Sequence, residues 1–94
     1  MEKEYTIVRP RLHVDFELPT KEVLLKLKSG NSVELMFKVG EEDVERMWVA
    51  LTDTSADDSW VGIIDNDATQ HNTALTLPAG RVINFHPLDI VATY

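Results

Sequence analysis

Ser32-Val-Glu-Leu-Met-Phe-Lys-Val-Gly40 and Arg46-Met-Trp-Val-Ala-Leu-Thr52, joined through a turn that opens Glu41-Glu42-Asp43, decide the fold. In the first, Val33, Leu35, Phe37 and Val39 alternate with Glu34, Met36 and Lys38. That period of two sends successive side chains to opposite faces of a strand. The second stretch is long enough to pair with the first as a hairpin. On it Met47, Val49 and Leu51 share one face, while Arg46, Trp48 and Ala50 share the other. Two readings of Trp48 stay open. If the core takes the Met47 set, Trp48 stands on the far face beside Arg46, a pairing typical of the centre of a protein interface. In the other reading Trp48 is core, covered by a helix or a neighbouring strand.

Residues 53–59 are a loop by composition. Trp60-Val-Gly-Ile-Ile-Asp65 follows as a short strand, with Trp60 capping the end of the core and Gly62 marking a bulge or a close backbone approach. Residues 67–73 read as polar loop. Leu75 and Leu77 precede a turn at Pro78-Ala79-Gly80, and Arg81-Val-Ile-Asn-Phe85 returns as a strand. His86-Pro87 breaks it before Leu88-Asp-Ile-Val91. Upstream, Tyr5-Thr-Ile-Val-Arg9 is β-prone and ends at Pro10, which cannot donate to a ladder. Leu12-His-Val-Asp-Phe-Glu-Leu18 has the cleanest alternation in the chain, with Leu12, Val14, Phe16 and Leu18 toward the core.

Residues 20–29 carry the one predicted helix. Thr20 is its N-cap, Glu22 sits near the positive end of the helix dipole, and Val23, Leu24 and Leu27 share a face. Gly30 supplies a left-handed stop. A β-hairpin is the rival over the same residues, because Val23, Leu25 and Leu27 also alternate and Gly30-Asn31 is a turn pair. One helix and about six short strands, with no linker between them, predict a single domain over residues 1–94. The class is α+β, built on a strongly bent, mainly antiparallel sheet or a small open barrel.

Composition narrows the function. The 44% hydrophobic content suits a globular fold, and the absence of cysteine removes disulfides, thiol nucleophiles and thiolate metal sites. Sixteen acids against nine Lys and Arg give a net charge of -7, the wrong sign for binding nucleic acid or an anionic membrane. With no cysteine and no apolar leader run after Met1, the expectation is a cytoplasmic protein. The charge is concentrated. From residue 41 to residue 67 nine acids face one base, a balance of -8, so the other residues together carry +1. Glu41, Glu42, Asp43, Glu45, Asp57, Asp58, Asp65 and Asp67, grouped around Arg46 and Trp48 or Trp60, are the candidate binding residues. Such a surface fits a basic protein, whose approach it would steer. The plainer reading is a pair of loops kept soluble by like charge.

Other chemistry is poorly represented. Asp65, Asp67, Thr69 and His71 occupy alternate positions, as in a calcium loop. Gln70 and Thr76 stand where that loop needs Gly and Glu. Asp53, Ser55 and Asp57 fail the same test, and local turns in which the carboxylate accepts nearby N–H groups explain both runs better. His13, His71 and His86 are scattered, no nucleophile elbow is present, and the four glycines are isolated. No catalytic residue, cofactor or metal is therefore expected. The alternative is a small hydrolase or ligand-binding barrel using His13, His86 and nearby carboxylates.

Glu45-Arg-Met-Trp-Val49, Gly62 with Asn66, and Gly80-Arg-Val-Ile-Asn-Phe85 with Asp89-Ile90 resemble the pattern of a family of small, mostly bacterial proteins of unknown function. The likeness spans about residues 33 to 91, with Arg46 where that family tends to carry His and Ala68 where it usually carries Pro. The resemblance implies no activity or catalytic residue. Some relatives look like immunity-type proteins encoded beside toxins, so the resemblance implies a toxin-neutralising role.

Overall fold

The structure, a computed structural model, describes residues 4–10 and 18–94. The strand expected over residues 12–18 lies outside the described residues except for Leu18, which is irregular. Strands β1 (Thr6–Val8), β2 (Ser32–Lys38), β3 (Glu45–Asp53), β4 (Trp60–Ile64) and β5 (Val82–Phe85) form an antiparallel sheet in chain order. A sixth strand, β6 (Ala92–Thr93), also pairs with β2. The sheet curls into a half-barrel, so the expected α+β class with a bent antiparallel sheet is the observed one.

The helix count differs. Among the described residues there are two short α-helices, α1 (Lys21–Leu25) and α2 (His71–Thr76), and a 3-10 turn at Pro87–Asp89. At α1 the helix prevails over the hairpin, with Thr20 accepting the Val23 N–H at 3.3 Å as an N-cap should. It ends sooner than expected, and Gly30 serves the next turn instead. There, at φ +99°, it lets the Asn31 N–H reach the Lys28 carbonyl. The polar loop read over residues 67–73 gives way at His71 to the second helix, which runs on through Thr76.

The β2–β3 hairpin forms in the register the alternation implies, with Val33 opposite Val49 and Leu35 opposite Met47. Val33, Leu35, Phe37, Met47 and Val49 are fully buried on the concave side, joined there by Leu51, Trp60, Ile64, Ile83 and Phe85. Gly62 fulfils both of its readings. The ladder shifts register opposite it, between Leu51 and Asp53, and a Cβ at this position would sit 2.3 Å from a Val49 methyl carbon. Leu24 of α1 and Leu77 just after α2 pack into this same core, so both helices lie on the concave side.

One edge of the sheet is composite. β1 pairs with residues 36–38 of β2 and β6 with residues 33 and 34, so the two follow one another along a single edge. Pro10 explains the handover, since it has no N–H to extend the pairing of β1. Arg9 fastens the junction by donating to Asp89 at 2.9 Å.

Candidate functional site

Trp48 answers the question the sequence left open. Met47, Val49 and Leu51 point into the core, and Trp48 stands half-buried on the convex face with Arg46 and Ala50. Its backbone is pinned at both its N–H and its carbonyl. The Trp48 N–H donates to Asn66 Oδ1 at 2.6 Å, and its carbonyl accepts the Asp65 N–H at 2.9 Å. Beside it on the same face, Arg46 donates to Glu34 Oε1 from two nitrogens, at 2.9 and 2.5 Å. Ala50, Val61 and Ile63 are half-buried there and Val82 is exposed. Trp60, by contrast, is buried at the start of β4 and belongs to the core.

The acidic residues fall into three groups. Glu42 and Glu45 are turned inward on the chain itself. One Glu42 oxygen accepts the Thr73 N–H and the Thr73 hydroxyl, each at 2.7 Å, and the other accepts the Asn72 N–H at 2.8 Å. These are orphan donors of the first turn of α2, whose own N-cap residue, Gln70, makes no side-chain cap. Glu45 accepts from the N–H groups of Thr69 and Gln70 at 2.5 and 3.3 Å, and from both of their side chains. The Gln70 amide completes the clamp on Asp43, accepting its N–H at 2.9 Å and donating to its carbonyl at 2.7 Å. Such bonds favour the ionised carboxylate. The Thr73 hydroxyl, then the Asn72 and Thr73 N–H groups, hold the Glu42 carboxyl below its ordinary value against an opposing desolvation. For Glu45 desolvation is the largest single influence and acts upward, yet the Thr69 and Gln70 donors together outweigh it.

A second group is exposed at that same end of the sheet: Glu41 and Asp43 in the β2–β3 turn, Asp65 and Asp67 in the segment after β4. The carboxylates of these four make no ion pair among the described residues. The third group, Asp57 and Asp58, is exposed in the loop between β3 and β4. β3 runs the whole way between them and Glu45, and the eight steps between its nine residues, at about 3.3 Å each, separate the ends by roughly 26 Å. The acidic stretch of the sequence is thus two separate patches. In the Asp57 loop the expected local turn is present, with Asp53 accepting the N–H and hydroxyl of Ser55 at 2.9 and 2.6 Å.

Gln70 and Tyr94 carry no functional cue in the sequence, and Asn66 enters only through the family resemblance. Tyr94 follows β6, donates its N–H to the Ser32 carbonyl, and sets its ring 6.1 Å from that of Trp48. Their roles are not legible locally, because each acts on an element distant along the chain. His86 was marked and has a structural use. Its Nδ1 accepts the Leu88 N–H at 2.9 Å, while Asp89 accepts the His86 N–H and pairs with Arg9. These two groups cap the 3-10 turn. Among the described residues no three His, Asp or Glu side chains gather as a metal site would require. No described helix is long and apolar enough to cross a membrane.

Comparison with models of protein families, with curated proteins and with solved structures finds no match for this chain.

Proposed function

We propose that this domain is a non-catalytic protein-binding module that takes a basic partner on the convex face of its sheet. Trp48 carries the reading: a large aromatic residue, half-buried on a face that neither helix covers, beside carboxylates that have no internal partner. Aromatic anchors ringed by polar groups supply most of the binding energy in protein interfaces. The exposed acids at the Trp48 end, Glu41, Asp43, Asp65 and Asp67, would raise the rate of encounter with a basic surface. Asp57 and Asp58 lie at the other end of β3 and have no part in this surface. The family resemblance supplies its narrower form, neutralisation of a basic toxin in an immunity-type pairing.

The test is a pair of charge reversals at opposite ends. Glu41→Lys with Asp67→Lys should slow association with the partner by roughly tenfold or more at low salt, with the difference shrinking as salt rises. Asp57→Lys with Asp58→Lys should leave association near the wild-type rate. A partner captured equally by all three chains, or one whose binding ignores salt, overturns the acidic face.

A further inference from the structure

The partner's anchoring group can be narrowed from the surroundings of Trp48. Ser32, Trp48, Asp65, Asn66 and Tyr94 line an open cleft of about 420 Å³ on the convex face. The two rings meet nearly at right angles, at 82° with centroids 6.1 Å apart, and both border the cleft. Aromatic faces carry negative potential and attract cations. Asp65 adds a full negative charge at the side of the cleft, and its carboxylate makes no hydrogen bond or ion pair with any described residue. An apolar occupant would desolvate that carboxylate without compensation.

We infer that this cleft is a subsite for an arginine side chain of the partner protein, and the inference rests on the protein-binding reading above. Both cationic side chains satisfy the charge, but the guanidinium suits the geometry better. It is planar and weakly hydrated, so it stacks on one ring while its N–H groups reach a carboxylate in the same plane. An ammonium group holds its water more tightly and has no face to stack. Trp48 is positioned for this by the two backbone bonds to Asn66 and Asp65, which fix its strand against the edge of the cleft. Tyr94 is held at its backbone by Ser32 while the residue is 99% exposed, leaving its ring open to a ligand.

The experiment is a titration of the full chain with capped single amino acids, followed by the indole N–H resonance of Trp48. Acetyl-arginine amide should shift that resonance saturably, and acetyl-lysine amide should do so more weakly. Acetyl-citrulline amide, which has nearly the same shape without the charge, should produce no saturable shift. Tyr94→Ala should weaken the arginine titration about two- to fivefold, and Asp65→Asn by a similar factor. Tyr94 contributes nothing to the buried core, so a dispersed spectrum from its variant is expected and confirms that the fold is intact. A citrulline response equal to that of arginine overturns the subsite, as does an arginine titration unchanged in Tyr94→Ala. The two readings fail separately. An arginine response together with partner capture indifferent to the Glu41→Lys, Asp67→Lys pair removes the acidic steering alone. Charge-sensitive capture without any arginine response removes the subsite alone.

Discussion

Glu42 and Asp57 are both carboxylates in loops that flank β3, yet Glu42 accepts three hydrogen bonds from the start of α2 while Asp57 accepts none from any described residue. The difference lies in what each loop is offered. The β2–β3 turn lies against a helix that begins without a cap of its own, and unsatisfied N–H donors draw in any acceptor that can reach them. The loop after β3 has no such neighbour, and its single internal carboxylate bond set is local, between Asp53 and Ser55. Residues counted together as one charge are therefore divided between holding the fold and facing solvent. Only the second kind is available to a partner.

Glu42→Ala should break this contrast most severely. It removes the acceptor of two backbone donors and leaves the hydroxyl of Thr73, a fully buried residue, without its partner. The melting temperature should fall by about 4–8 °C, the usual scale for losing a helix cap in a domain of this size. Amide exchange at Asn72 and Thr73 should accelerate along with it. A variant that melts within about 1 °C of the parent would show that α2 does not depend on the β2–β3 turn.

Acid should reproduce part of that loss in the unaltered chain. The folded-state values of Glu42 and Glu45 lie below the ordinary 4.5, so their ionised forms stabilise the fold above that pH. The contribution disappears as pH falls from 4.5 through the lower folded values, because the folded protein must then take up protons that weaken its own bonds. Asp53, held below its ordinary value by the hydroxyl and N–H of Ser55, adds an effect of the same sign. Melting curves between neutral pH and about pH 3 should show the decline, and Glu42→Ala should flatten it. An equal acid slope in the two chains would separate the carboxylate bonds from acid stability.

The same contrast explains what was legible in the sequence. The faces of β2 and β3 follow from period-two alternation, a property of residues within one strand, and Val33 through Leu51 occupy the predicted sides. Thr20 was legible as a cap because its bond spans three residues. α2 was not, since its cap is Glu42, separated from Thr73 by 31 positions, and its sequence includes two β-branched threonines with weak helix preference. Tyr94 escaped for a related reason: only the composite edge, where β6 takes over from β1 along β2, brings it beside Trp48. The acidic stretch misled in the opposite direction. Proximity in sequence joined Asp57 and Asp58 to a patch from which the length of β3 divides them.

Asp57→Asn with Asp58→Asn should have the smallest effect and gives the comparison its control. Both side chains are exposed, neither is bonded to a described residue, and two like charges stand side by side in a chain of net charge -7. Neutralising them removes repulsion and no bond, so at low salt the melting temperature should stay level or rise by on the order of 1 °C. Salt should erase even that, since exposed charges are screened over about 10 Å at 0.1 M ionic strength. The sign is the useful part: a fall would mean that these carboxylates hold a bond comparable to that of Glu42. The two ends of β3 would then be alike in using their acids for the fold, leaving charge at the Trp48 end as the distinguishing feature only where Glu41, Asp65 and Asp67 remain unbonded.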